Sequence, residues 1–122
     1  MLLSALACLG GASVAVAVLP FRLAIRFGCV PVDPEQRQAP EDIVSAIETA
    51  ARLVPWRTVC IHKGLAAQRM LRAAGANAIL HYGARHREED RKLEAHVWVT
   101  IDGRAVIGGE EASEFAAVAT YP

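Results

Sequence analysis

A thiol attacks a carbonyl only as the thiolate, and the first turn of an α-helix favours that anion because its backbone N–H groups leave partial positive charge there. Cys60 has this position. The run from Cys60 to Ala74 has helical composition, with Leu65, Met70 and Leu71. Thr58 is a candidate N-cap, and Gly75 stands where a C-terminal cap is expected. A nucleophilic cysteine also needs a base within hydrogen-bond reach, brought by a separate element of the fold. Four histidines are available. His62 lies two residues after Cys60 on the same helix, where side chains do not face each other. His81, inside a strand-like run, and His86, in a charged segment, read as packing or surface residues. His96 opens a strand that continues Val-Trp-Val-Thr-Ile, so its imidazole is either satisfied by a core partner or used in chemistry. The residues alone leave both readings open. Cys8 and Cys29 read as buried structural thiols.

The elements that would position these residues follow from periodicity and punctuation. Residues 1 to 29 read as one or two apolar helices, with Pro20 starting or kinking the second piece and Gly28 ending it. Val30 to Pro40, with three prolines and five polar or charged side chains, reads as a polar connection. Glu41 and Asp42 then precede Ile43, Ile47, Ala50, Ala51 and Val54, which is acid in a first turn followed by apolar residues at helical spacing. Asn77 to Arg85 is strand-like, and Arg85 to Lys92, seven of eight charged, is expected as an exposed loop. Ala95 to Ile101 and Arg104 to Ile107 form two further strands joined by Asp102-Gly103, a two-residue hairpin signal. The expected fold class is α+β, with helices packed on a small antiparallel sheet and the Cys60 helix laid against the strand carrying His96. The organisation expected is an N-terminal hydrophobic helical arm with its connection (1–39) and a catalytic core (40–122).

Composition bounds the partners. At 122 residues there is room for one domain able to bury a core without staples. Thirteen basic and thirteen acidic side chains leave no net field to draw nucleic acid or anionic lipid, so no nucleic-acid partner is expected. Three cysteines without paired spacing suit a reducing, cytoplasmic compartment and offer no Cys-x-x-Cys metal site. Residues 1–21 carry no charge, and a stretch of about 20 apolar residues can cross a bilayer. No basic segment precedes them, however, and Ser4, Gly10, Gly11 and Ser13 dilute their hydrophobicity. A helix packed on the core or a partner is therefore preferred, with membrane association as the alternative.

The run Val-Pro-Trp-Arg-Thr-Val-Cys60-Ile-His-Lys-Gly-Leu, followed by Leu-His-Tyr-Gly-Ala-Arg and then by Glu-Ala-His96-Val-Trp-Val-Thr-Ile-Asp-Gly-Arg, resembles the transglutaminase-like, papain-like core of lasso-peptide B proteins. The resemblance extends from about Pro55 to the C-terminus, and the arm with Leu-Pro-Phe-Arg resembles the usual N-terminal part. It implies a cysteine protease that removes the leader from a lasso-peptide precursor with a Cys, a His and an acidic residue, so Cys60 and His96 take the first two roles.

For the third role the family's aspartate is expected near Gly108, where this chain has Ile-Gly-Gly-Glu-Glu. If Asp102-Gly103 form a two-residue turn, Ile101 pairs with Arg104, and counting outward puts His96 opposite Gly109 with Glu110 beside it. Glu110 is therefore the candidate acid and Glu111 the reserve. Asp102, six residues from His96, is roughly 20 Å away along a strand. A backbone or amide group orienting the histidine is the remaining option. The resemblance also implies three partners: the precursor peptide, a lasso cyclase and, because some 55 residues before the core are too few for a leader-binding domain plus the arm, a separate precursor-recognition protein. No cofactor is implied. Two rival readings are a transglutaminase-like acyl transferase and an inactive scaffold holding precursor and cyclase.

Overall fold

In a computed structural model, the described residues of the chain form four α-helices followed by a four-stranded antiparallel sheet. The structure describes residues 2–33, 35, 39–55, 60–86, 89–109 and 115–121. Helix α1 spans Leu2–Val18, the short α2 spans Phe21–Ala24 and runs into a 3₁₀ turn at Ile25–Phe27, α3 spans Pro40–Leu53 and α4 spans Cys60–Ala73. The strands are β1 (Ala78–His86), β2 (Leu93–Ile101), β3 (Arg104–Ile107) and β4 (Ala116–Tyr121), in the spatial order β3-β2-β1-β4.

Local chemistry explains most of these boundaries. Pro40 starts α3, where its missing N–H costs nothing, and Glu41 and Asp42 follow in the first turn, where carboxylates meet the positive end of the helix dipole. Ile43, Ile47 and Ala50 give α3 one buried face. Helix α4 ends at Gly75, whose φ of +96° is the left-handed cap that an L side chain resists. Asp102 and Gly103 both have positive φ, +53° and +80°, the signature of a type I′ hairpin turn between β2 and β3.

The apolar arm belongs to the same core as the rest. Ala5, Leu9 and Ala12 of α1 are fully buried and join one cluster with Ile43 and Ile47 of α3, Leu65 and Leu71 of α4, and Leu80 and Val99 of the sheet. Each fully buried aliphatic side chain of that size contributes about 1.5–3 kcal/mol relative to exposure. Alanines at the buried positions let α1 approach α3 and α4 closely. The chain after the arm is held as well: Arg72 of α4 donates from Nε to the Val30 carbonyl and from Nη1 to the Ala78 carbonyl at 3.1 Å. Among the described residues, no helix is long and apolar enough to cross a membrane.

Two expectations need correction, and one strand was not foreseen. The charged segment after Arg85 is not all loop, because β1 continues through His86. Arg85 faces Glu94 across the strand pair and forms an ion pair with it at 3.0 Å, so opposite charges stabilise the ladder instead of ending it. The simple outward count along the β2–β3 hairpin also fails. Ile101 pairs with Arg104 and Thr100 with Ala105, but Val99 pairs with Ile107, so a bulge at Val106 takes up one residue and the ladder stops there. His96 is therefore not brought opposite Gly109 by regular pairing. Finally, β4 has no counterpart in the sequence reading. It lies antiparallel to β1 at the sheet edge, with an irregularity between Tyr82 and Gly83.

Candidate active site

Cys60 is the first residue of α4, half-buried, at the helix end whose N–H groups have no partner within the helix. The expected N-cap, Thr58, lies outside the described residues. Helix α4 lies on one face of the sheet at very close range: a Cβ on Gly64 would meet Leu80 Cδ1 at 3.0 Å and Val97 Cγ2 at 3.2 Å. This close approach carries Cys60 toward the start of β2. Cys60 and His96 border one cavity of about 400 Å³, together with Ile61, Tyr82, Ala95 and Val97.

Alternation along β2 decides where the imidazole points. Val97 and Val99 turn toward Gly64 and α4, so His96 and Trp98 turn to the opposite face. Gly83 stands directly across from His96, and His81 directly across from Trp98. On that face the His96 ring stacks on Trp98, centroids 5.8 Å apart, and meets the Phe115 ring at 5.1 Å. The Arg85 guanidinium covers the same Phe115 ring at 4.5 Å, and His81 lies parallel to Trp98 at 5.5 Å. Gly83 makes room for this stack, since a Cβ there would meet the Trp98 ring at 2.9 Å. His96 thus borders the cavity from a strand that turns its ring to the Trp98 side. Among the described residues, Cys60 Sγ has no hydrogen bond to it.

His96 Nε2 lies 2.7 Å from the carbonyl oxygen of Gly108. A carbonyl can only accept, so Nε2 carries the proton and the neutral ring keeps its lone pair on Nδ1. This is the tautomer a general base needs, and it is set by main chain. Glu110 and Glu111, the acids expected from the sequence, lie outside the described residues. Asp102 is exposed at the tip of the hairpin.

The other two thiols are half-buried as well. Burial raises the pKa of Cys8, with Arg69 partly opposing it, and burial also raises that of Cys29, whose Sγ donates to the Ile25 carbonyl at 3.4 Å. Desolvation lowers the pKa of His81, which is hydrogen-bonded to Thr100 Oγ1 at 2.7 Å, and that of His62. A backbone orienter was among the options open from the sequence, but Gly108 was not singled out as the acceptor, nor Phe115 as a wall of the imidazole. The Gly-Gly pair after Ile107 was a usable signal for Gly108, because paired glycines mark backbone that must turn sharply. Phe115 carried none.

A helix that opens on a cysteine, packed on an antiparallel sheet whose neighbouring strand bears a histidine, is the architecture of a transglutaminase-like domain. The model of the transglutaminase-like superfamily matches residues 5–120, and the chain belongs to that superfamily. The match takes in the apolar arm as well as the sheet. No curated protein and no solved structure matches the chain.

Proposed function

We propose that the protein is a cysteine peptidase that cuts the leader from a lasso-peptide precursor, with Cys60 as nucleophile and His96 as base. The observation that carries this reading is the pairing of a cysteine at a helix start with a histidine bordering the same cavity, the histidine held as the Nε2–H tautomer. The likeness of the Cys60 and His96 segments to lasso-peptide B proteins supports the substrate. In this reading Cys60 Sγ, as thiolate, adds to the scissile carbonyl, and the first-turn N–H groups of α4 stabilise the oxyanion. His96 protonates the leaving amine, the C–N bond breaks, and an acyl thioester remains on Cys60. Water, deprotonated through His96, then releases the leader. Reaction needs the imidazole about 3 Å from the sulfur, so the His96 ring, which here turns to the Trp98 face, has to swing toward Cys60 when substrate binds.

The candidate acid from the sequence, Glu110, has a competitor in the Gly108 carbonyl, which already accepts from Nε2. A precursor-recognition protein and a lasso cyclase are the proposed partners, and the cytoplasm the proposed compartment. Binding energy from the leader, remote from the bond cut, would come through the recognition protein. Incubating a lasso precursor with the protein, with and without a recognition protein, tests the reading by mass spectrometry. Cleavage behind the leader, strongly accelerated by the recognition protein, is expected. An intact precursor under both conditions overturns it.

A second reading, the inactive scaffold, draws on one observation: among the described residues the thiol and the imidazole are not hydrogen-bonded. Alkylation of Cys60 by iodoacetamide distinguishes the two. A scaffold thiol reacts no faster than in the His96→Ala variant, whereas a catalytic one slows in that variant.

A further inference from the structure

The cavity beside Cys60 has a lining that the peptidase chemistry does not by itself require. Four of its walls come from the arm, namely Val16, Leu19, Ala24 and Ile25, and two more, Ile61 and Leu65, from α4. All six side chains are aliphatic, no Asp, Glu, Lys or Arg among the described residues borders the cavity, and its volume of about 400 Å³ is in the range of small-ligand sites. Ala24 and Ile25 are buried while Leu19 is 42% exposed, so the lining runs from buried to exposed positions of the arm. A closed core would have filled this space, since protein interiors are packed without voids of that size.

We infer that this cavity is the subsite for a large apolar side chain on the residue that supplies the scissile carbonyl, and that the apolar arm is its specificity-determining wall. The inference rests on the peptidase reading above. The acyl half of the substrate stays bonded to Cys60 until water releases it, so a pocket sharing its wall with Cys60 meets that half in both steps. An aliphatic side chain leaves water there for an aliphatic lining. A charged one would be desolvated with no partner, a cost of several kcal/mol in general terms. The arm then has a role besides folding: it selects the residue before the cut.

Chloromethyl ketones of N-acetyl-leucine and N-acetylglycine test this on the whole protein, with alkylation of Cys60 quantified by mass spectrometry. The thiolate displaces chloride and forms a thioether, so the rate reports binding next to the sulfur without needing peptide cleavage. The leucine probe should react at least about tenfold faster than the glycine probe, a discrimination of the size that apolar pockets give. In Leu19→Glu, at an exposed position, the ratio should fall at least about threefold. Taking the ratio cancels any change in the intrinsic reactivity of the thiol. Leu19→Ala should lower the ratio less than Leu19→Glu does. Equal rates for the two probes, with precursor cleavage intact, would overturn the subsite and leave the peptidase standing. A clear leucine preference without cleavage of any precursor would sustain an apolar acyl-side pocket at Cys60 and overturn the leader-peptidase reading of it.

Discussion

The imidazole of His96 is tied to the main chain by a residue that no side chain could replace: its Nε2 donates across 2.7 Å to the Gly108 carbonyl, and Gly108 itself sits at a φ of +70°. A Cβ at Gly108 would also come within 2.9 Å of the Val97 carbonyl oxygen. Strain and contact both require glycine, and the direction of the carbonyl depends on that backbone conformation.

Gly108→Ala should therefore lower the cleavage rate by about 10²-fold through a misplaced imidazole, and stability by roughly 1–3 kcal/mol. Glu110→Gln should cost less activity than Gly108→Ala, because the Nε2 proton already has its acceptor. Asp102→Asn should cost least, since asparagine suits a type I′ turn whose first central φ is +53°. Steady-state rates for the three variants rank them. A dead Glu110→Gln beside an active Gly108→Ala would assign the orienting role to the carboxylate instead.

The close approach of α4 to the sheet makes a second position sensitive. A leucine at Gly64 would be driven into Leu80 and Val97, which stand 3.0 and 3.2 Å from its Cβ. Gly64→Leu should destabilise the fold by about 1–3 kcal/mol despite the better helix propensity, and should lift Cys60 away from β2. Denaturant unfolding checks this, and an unchanged midpoint would show that the helix and sheet can separate freely.

Stability should depend on pH through His62 and His81, whose pKa values desolvation holds below the ordinary 6.5. Below about 6.5 the unfolded chain takes up protons at these rings that the folded chain resists. The contribution is thus fully present above pH 6.5 and is lost as pH falls through the lowered folded values. Melting temperature should decline from pH 7 toward pH 5, and His81→Gln should make the decline shallower. An identical slope in that variant would clear His81 of any role.

How much of this was legible in the sequence depended on whether the signal was local. The amphipathic spacing of Ile43, Ile47 and Ala50, the Gly75 cap and the Asp102-Gly103 turn are set by residues a few positions apart, and all were readable. Ala116–Tyr121 was not, because Ala-Ala-Val-Ala-Thr-Tyr has no strict alternation and becomes a strand only when β1 offers it an edge. The bulge at Val106 was likewise hidden, so the hairpin count that singled out Glu110 slipped past the backbone carbonyl that His96 in fact meets. Helix α1 is apolar on every side, which left its partner undetermined until Ala5, Leu9 and Ala12 were seen packed into the core.

Whether Cys60 forms the acyl-enzyme is tested by precursor cleavage with Cys60→Ala beside Cys8→Ala and Cys29→Ala, followed by mass spectrometry in the presence of a recognition protein. If it does, Cys60→Ala should leave the precursor intact, a loss of several orders of magnitude, while the other two variants, whose thiol pKa values burial raises, should cleave nearly as fast as the native protein. Undiminished cleavage by Cys60→Ala would contradict it.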